Sequence, residues 1–195
     1  MEPLSLSKDL LESRRILEGQ LRECFGRVVY SHKTHEKCAD ILLSRLSTIK
    51  LLQLGLSAIV AGGFIAATFG DGKSAAFVGV IVSTCLLALN AYTKDYDLGE
   101  LAQKHKQAAN DLWLVRETYL SLIADLVVGD KPLEVLQAER DRLAEQLHSI
   151  YCGSPATTFK AYRKAQEALK TNEDLTFSDD EIDTFLPHEL KKNKK

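Results

Sequence analysis

The sequence lacks the motifs that mark the common enzyme classes. It contains no GxSxG, HExxH, P-loop or GxGxxG pattern, and no convincing nucleophile lies beside its histidines. Its four cysteines are scattered without a CxxC pair, so we expect reduced structural thiols. The formal net charge of −2 gives no electrostatic case for nucleic acid as a direct partner. We therefore interpret the chain as a non-enzyme that needs no cofactor or metal.

Charge is also missing from two neighbouring segments. Residues 51–70 and 74–93 contain no Asp, Glu, Lys, Arg or His. A helix of that length is about 30 Å long, which matches the hydrocarbon thickness of a bilayer. Between them, residues 71–73 read Asp-Gly-Lys, which is typical of a turn. The pattern predicts a transmembrane helical hairpin; the alternative is a hairpin buried inside a soluble helical domain.

The distribution of Lys and Arg around these segments predicts their orientation. One cation, Lys73, lies in the turn, whereas seven lie within twenty residues of the other ends of the spans. The seven are Lys33, Lys37, Arg45, Lys50, Lys94, Lys104 and Lys106. The excess of positive charge predicts a two-pass membrane protein with both termini in the cytoplasm.

Two patterns of small or weakly polar residues lie within the spans. Small residues recur every four positions, at Ala58, Gly62 and Ala66 and at Ala75, Gly79 and Ser83. In an antiparallel hairpin these residues pair at equal depth, so we expect the two ladders to pack against each other. A second stripe of the first span consists of Gln53, Ser57, Phe64 and Thr68. This stripe is free to face another copy of the chain or a water-filled path.

A seven-residue repeat flanks the spans and predicts an antiparallel coiled coil. Its tracks are Phe25, His32, Ala39, Leu46 and Val28, His35, Leu42, Ile49 before the hairpin, then Leu98, His105, Leu112, Tyr119, Leu126 and Leu101, Ala108, Val115, Leu122 after it. The expected fold is all-α: a transmembrane hairpin continuing into a cytoplasmic coiled-coil stalk with additional C-terminal helices. We divide the chain into an N-terminal helix (1–50), the hairpin (51–93), a helical region (94–171) and an acidic tail with a basic end (172–195).

Three of the five histidines share one level of this predicted stalk. The hairpin register places His105 between His32 and His35, with Cys38 one helical turn away. Imidazole and thiolate are zinc ligands, but the spacing matches no standard zinc pattern. Buried polar residues commonly fix the register of a coiled coil, so we interpret this group as a polar or pH-sensitive layer.

The C-terminal part contains a basic helix and an acidic one. Lys160, Arg163, Lys164 and Lys170 form a basic face that is either solvated or in contact with anionic lipid headgroups. In the tail, Ser178 and Glu181 form the pattern of a capping box before Pro187 ends the helix. The tail residues with docking potential are Phe177, Ser178, Glu181, Ile182, Phe185 and Leu186.

Three segments of the chain resemble the SLATT proteins, two-transmembrane effectors that accompany SMODS nucleotidyltransferases and SLOG ligand-sensing domains in bacterial conflict systems. The segments are YSHKTHEKCAD (residues 30–40), ELAQKHKQAANDLWLVRETYLSL (residues 100–122) and NEDLTFSDDEIDTFLP (residues 172–187). The last is similar to the subgroup found beside reverse transcriptases and nucleotidyltransferases. The resemblance covers most of the chain from about Leu17 onward.

The resemblance implies a homo-oligomeric effector that opens a pore or lesion in the inner membrane of a phage-infected cell. No sensing domain is fused here, so the implied partner is a separately encoded nucleotidyltransferase, reverse transcriptase or sensor protein. The alternative function is a membrane-tethered scaffold that docks a cytoplasmic defence partner without conducting ions. The two hypotheses differ in whether the stripe around Phe64 or the tail around Phe185 carries the function.

Overall fold

The structure, a computed structural model, describes residues 3–69, 73–172, 175–187 and 191–192. Within these ranges the chain is all-helical and contains no strand, which confirms the predicted fold class. The six helices are α1 (Pro3–Phe69), α2 (Lys73–Asp95), α3 (Leu98–Val128), α4 (Leu133–Gly153), α5 (Phe159–Lys170) and α6 (Asp179–Phe185). The predicted turn at 71–73 lies outside the described residues except for Lys73, which begins α2.

Helix α1 is continuous from Pro3 to Phe69, 67 residues in all. No proline follows Pro3 within it, so no position lacks a backbone hydrogen-bond donor. The N-terminal helix therefore runs directly into the first apolar segment. At 1.5 Å per residue, α1 is about 100 Å long. Displacement of one end can thus be transmitted to the other without a flexible joint.

The helical path from the second apolar segment back into the rest of the chain is interrupted. Helix α2 ends at Asp95 and α3 begins at Leu98, where the Asp97 carboxylate accepts a hydrogen bond from the backbone N–H of Glu100 at 2.8 Å. Such a cap satisfies a backbone donor that would otherwise lack a partner. The second crossing thus meets the rest of the chain through a short break, in contrast to the unbroken α1.

The part of the chain outside the apolar hairpin forms a bundle, which we define as α1 up to Lys50 together with α3, α4 and α5. Helix α3 runs antiparallel along α1, and α4 packs on both. Their core consists of Leu17, Leu21, Val28, Leu112, Val115, Tyr119, Leu122, Leu126, Leu136 and Leu143. Most of these are heptad positions, which is compatible with the coiled-coil stalk; the stalk itself stays a prediction.

An arginine of α1 holds the end of α3. Helix α3 stops at Gly129, which adopts the left-handed φ of 86° that ends many helices. Near this end, Arg14 donates hydrogen bonds to the backbone carbonyls of Leu126 at 3.4 Å and Lys131 at 2.7 Å. A cation is favoured at a helix C-terminus because the last carbonyls carry partial negative charge. Arg14 therefore helps to fix the register of the α1–α3 pair.

From the sequence, Asp130 is predicted to cap α4, Gly153 to end it, and Ser154-Pro155 to open α5. The observed starts of both helices differ. Pro132, not Asp130, is the N-cap residue of α4, and no side chain caps this helix. Helix α5 begins at Phe159 rather than after Ser154, because the Thr158 hydroxyl accepts a hydrogen bond from the N–H of Ala161 at 3.3 Å. The predicted stop of α4 at Gly153 is confirmed.

Short contacts tie α4 and α5 to α1. The Tyr151 hydroxyl donates to the Ser31 hydroxyl at 2.9 Å, and the rings of Tyr30 and Tyr162 lie 5.9 Å apart. On α5, the alanines at positions 161, 165 and 168 are buried. Small side chains let two helices approach closely, so α5 lies directly against α1.

The predicted capping box of α6 is confirmed. The Ser178 hydroxyl accepts from the N–H of Glu181 at 3.3 Å, and the Glu181 carboxylate accepts from the N–H of Ser178 at 2.8 Å. Helix α6 ends at Phe185, two residues before Pro187. Its Asp183 is buried and accepts a hydrogen bond from the N–H of Lys192 at 3.1 Å.

Candidate functional site

Two helices are long and apolar enough to cross a membrane. Their most apolar eighteen-residue windows have mean hydropathies of 1.6 and 1.5, and only 6% and 0% of the residues in them are buried. A core helix of a soluble protein would bury most of such a window. The hairpin, residues 51–69 of α1 together with α2, instead exposes its large side chains, including Leu54 (69%), Phe64 (75%) and Leu87 (69%). An exposed apolar surface of this extent favours the transmembrane interpretation over the soluble one.

The contact between the two hairpin helices continues the seam of the bundle. The half-buried residues of the hairpin are spaced alternately three and four apart: Gln53, Leu56, Val60 and Gly63 on α1, and Gly79, Val82, Leu86, Leu89 and Thr93 on α2. The same spacing joins the heptad residues Leu42, Leu46 and Ile49 to Gln53. A continuous helix keeps one face toward its partner, so the bundle sets which face of the hairpin is used.

The structure does not bring the ladders of small residues together. A Cβ atom added at Gly62 or Gly79 would meet no neighbouring atom within 4 Å. Ala58 and Ser83 are exposed, and the Ser83 hydroxyl donates to the carbonyl of Gly79 in its own helix at 2.7 Å. The side chains of Ala66 and Ala75 lie outside the described ones. Larger apolar residues of the heptad seam occupy the interface instead, because that seam continues from the bundle.

One polar bridge crosses the hairpin near its bundle end. The Gln53 amide donates to the Asn90 side-chain oxygen at 2.8 Å and lies 3.4 Å from the Thr93 hydroxyl. The residue numbers of this pair sum to 143, and those of the His35–His105 pair described below sum to 140. Residues that face each other in an antiparallel pair have numbers with a nearly constant sum, which is 141 for the ladder residues of the sequence. Both observed sums lie within two of that value. Gln53 is occupied between the two helices of one chain.

The other three residues of the predicted stripe remain on the surface. Ser57 and Thr68 donate their hydroxyl protons to the carbonyls of Gln53 at 2.7 Å and Phe64 at 2.8 Å, four residues earlier in the same helix. These hydroxyls are thus satisfied even in an apolar surrounding. Phe64 is the most exposed of the large apolar side chains of the hairpin, at 75%.

An aromatic and cationic group marks the boundary between hairpin and bundle. The guanidinium of Arg45 lies 5.5 Å from the centre of the Tyr92 ring, and that ring stacks on Tyr96 at 5.2 Å. Tyrosines are enriched where a membrane meets water, and the cation adds an attraction to the ring face. We did not single out the two tyrosines from the sequence. The signal was two tyrosines four residues apart at the end of an apolar segment.

The predicted polar layer is present in the middle of the α1–α3 seam. The Nδ1 atoms of His35 and His105 lie 2.9 Å apart, and both rings are buried, at 3% and 2% exposure. His32 is 5% exposed, and its Nδ1 atom is buried without a hydrogen-bond partner among the described residues. On its other side, His32 Nε2 lies 3.7 Å from Glu36, which also pairs with the largely buried Lys33 at 3.0 Å.

Burial makes these histidines hard to protonate. It lowers the pKa of His35 to about 4, with His105 and His32 adding repulsion. It also lowers the pKa of His105, and it lowers the pKa of His32 although Glu36 opposes the shift. Because two neutral imidazoles share one proton between the facing Nδ1 atoms, one ring donates and the other accepts. Only protonation of both rings would place two N–H groups 2.9 Å apart, so the observed contact requires at least one neutral ring.

Metal binding has little geometric basis in this layer. Within the described ranges no group of three or more His, Cys, Asp or Glu side chains is arranged to hold a metal ion. The Nδ1 atoms of His35 and His105 point at each other at hydrogen-bonding distance, which leaves no room for an ion between them. Cys38 is buried at 3% exposure.

The basic face of α5 lies far from the membrane end of the bundle. Helix α5 packs beside Tyr30, and 21 positions separate Tyr30 from Leu51 along α1. At 1.5 Å per residue this distance is about 30 Å. Lys160, Arg163 and Lys164 are exposed there. The position of α5 therefore favours a solvated surface over contact with lipid headgroups.

The comparison with protein families shows which family the chain belongs to. Residues 17–181 match the SMODS and SLOG-associating 2TM effector domain family 4, a SLATT family. The chain belongs to this family. Searches of the curated proteins and of the solved structures found no significant match. The matched region of this SLATT protein includes the bundle, the hairpin and the start of α6, so it is a membrane effector domain of the kind found in conflict systems.

Proposed function

We propose that this SLATT protein is an effector of a bacterial anti-phage system that oligomerises in the inner membrane and opens a pore or lesion, which stops growth or kills the infected cell. The observation that carries the proposal is the hairpin surface. A single chain leaves 94% and 100% of the two most apolar windows unburied. Two helices cannot enclose a conducting path, so conduction requires several copies.

The outward faces of α1 support assembly of such copies. Ala58 and Gly62 are exposed, and small residues permit close helix contacts in lipid. Ser57, Phe64 and Thr68 are exposed beside the seam, where they are available to a neighbouring copy or to a path. Both termini are assigned to the cytoplasm on the distribution of Lys and Arg. The bundle would then be the part that receives a signal from a separately encoded partner.

Membrane potential in cells tests the proposal. A potential-sensitive dye is followed after induction of the protein together with its neighbouring genes and phage infection. We expect depolarisation with the wild-type chain and a loss of the effect with Phe64→Asn. The matched control is Phe77→Asn, because Phe77 is exposed to a similar degree (68%, against 75% for Phe64) but lies on α2 away from the stripe. A sustained potential in infected, growth-arrested cells would contradict conduction.

A non-conducting scaffold is the second candidate, and the tail favours it. Phe185 at the end of α6 is 82% exposed and Phe177 is 66% exposed, which is unusual for aromatic residues without a partner. Under this alternative, Ile182→Ser with Phe185→Ser abolishes protection against phage while Phe64→Asn is harmless. The same infection assay therefore separates the two candidates.

A further inference from the structure

An apolar groove of the bundle lies between α1, α3 and α5. Its volume is about 370 Å³, and its apolar walls come from Phe25, Val29, Leu120 and Leu169. Leu120 is 51% exposed, so part of this wall is open to water. Grooves of this size and character bind apolar side chains. Apolar surface in contact with water is unfavourable, and docking of an apolar side chain would remove the groove from water.

The chain that leads to α6 already lies on the rim of this groove. Leu175 and Thr176 line it, directly before the N-cap residue Ser178. Leu175 adopts a φ of 73°, a left-handed conformation that non-glycine residues rarely adopt. The chain therefore turns sharply at the groove and carries α6 away from it.

Helix α6 exposes the side chains that such a groove accepts. Phe177, Ile182 and Phe185 are exposed at 66%, 41% and 82%. Ile182 and Phe185 are three residues apart, so they lie on one face of the helix. In the first turn of the helix, Asp179 pairs with Lys192 at 2.9 Å.

Charge at the groove is complementary to that of the tail. Arg116 and Lys170 line the groove, and the first turn of α6 is acidic throughout, with Asp179, Asp180 and Glu181. Arg116 pairs with Glu117, yet its buried Nη1 atom has no hydrogen-bond partner among the described residues. Asp179 pairs with Lys192 and Glu181 belongs to the capping box, so the attraction between the tail and the groove is one of overall charge.

We propose that α6 forms a strap that docks its Ile182–Phe185 face into this groove of the same chain. Two residues separate Thr176 on the rim from the first residue of α6, so the tether keeps the helix at high effective concentration beside the groove. A second copy or a partner protein would have to compete with this linked helix. The inference does not depend on whether the hairpin conducts ions.

Photo-crosslinking of the full chain in detergent tests the strap. A benzophenone amino acid replaces Phe185, and mass spectrometry maps the crosslinked peptides. We expect crosslinks to the segments around Phe25 and Leu120. The matched control replaces Phe159, which is 74% exposed on α5. Absence of groove crosslinks from position 185, or equal yields from position 159, would overturn docking.

Isotope labelling identifies the occupant. Probe-bearing unlabelled chains are mixed with ¹⁵N-labelled chains that lack the probe. Crosslinks confined to unlabelled peptides support a strap within one chain, whereas crosslinks to labelled peptides would overturn it in favour of a second copy.

A charge placed in the groove provides the second test. Leu120→Asp should lower the crosslink yield about tenfold, because docking would then bury a carboxylate against apolar side chains. Leu114→Asp is the matched control, since Leu114 is exposed to a similar degree (53%, against 51% for Leu120) on the same helix but does not line the groove. An unchanged yield with Leu120→Asp would overturn the proposed site, provided circular dichroism shows both variants folded.

Discussion

Helix α1 passes through two regions, one in which its apolar side chains are buried and one in which they are exposed. In the bundle its Leu21 and Val28 are 0% and 1% exposed, because α3 and α4 cover them. In the hairpin its Leu54 and Phe64 are 69% and 75% exposed, since only α2 packs beside them. The bundle buries its apolar residues within one chain. The hairpin leaves its apolar residues to be covered by lipid, and Arg45 with Tyr92 marks the boundary between the two regions.

The comparison predicts that truncation in the bundle has the largest effect on stability. Leu112 is 0% exposed in the bundle core, so Leu112→Ala should destabilise the protein by about 2–5 kcal/mol through lost burial and a residual cavity. Denaturation of the detergent-solubilised protein, followed by circular dichroism, measures this. On the same helix, Leu114→Ala should change stability by less than about 0.5 kcal/mol, because Leu114 is 53% exposed. Equal effects of the two would remove the distinction between core and surface.

Acidification should weaken the polar layer formed by His32, His35 and His105. The folded pKa of His35, about 4, lies below its ordinary value of 6.5, so the unfolded chain binds more protons between these values. The stabilisation from a neutral His35 is therefore complete above pH 6.5 and is lost as the pH falls toward 4. The loss is on the order of 2–3 kcal/mol. Unfolding curves between pH 7 and 4 measure it, and a His35→Gln variant with the same pH dependence would contradict the assignment.

Replacing both members of the histidine pair should cost less stability than the sum of the two single replacements. His105→Ala leaves the buried Nδ1 of His35 without its partner and should destabilise the bundle by about 1–3 kcal/mol. The variant with both histidines replaced by leucine should be less unstable than the sum of the single leucine variants. Additive effects would show that the two rings do not interact.

The smallest expected effect concerns the polar bridge in the hairpin. Asn90→Leu removes the acceptor of the Gln53 amide and should weaken the hairpin by about 0.5–1.5 kcal/mol, since hydrogen bonds between membrane helices are modest. The protection of the amide protons of α2 against hydrogen exchange in lipid nanodiscs measures the loss. Ser83→Ala is a matched control, because the Ser83 hydroxyl bonds only within its own helix. A comparable loss of protection in the control would argue against a role for the bridge.

The sequence predicted well which residues of α1 and α3 lie at the same level along the helix pair. Uncharged segments of membrane length and heptad spacing are local signals, and the register taken from them placed His105 at the level of His32 and His35, where it contacts His35. The ladder of small residues was the less successful inference. Gly62 and Gly79 have the spacing of a close packing motif, but a continuous α1 had already committed another face to its partner. Which of two plausible faces wins depends on packing outside the hairpin, which residue spacing alone does not reveal.

Other features depend on contacts between distant segments and could not be predicted. Arg14 looks like an ordinary surface arginine until the end of α3 lies beside it, more than a hundred residues away in sequence. The start of α5 was misplaced because two cap patterns, Ser154-Pro155 and Thr158, occur four residues apart. The capping box of α6 was predictable because all its partners lie within four residues.

Thiol labelling of native membranes tests the central claim, a hairpin that crosses the bilayer twice and returns to the same side. Spheroplasts containing the Gly72→Cys variant are treated with a membrane-impermeant maleimide, and the labelled cysteines are mapped by mass spectrometry. The introduced thiol should react in intact spheroplasts, and Cys152 should react only after lysis. Cys85 within α2 should react only after detergent is added. Labelling of Cys152 in intact spheroplasts, or recovery of the protein in the supernatant without detergent, would contradict the account.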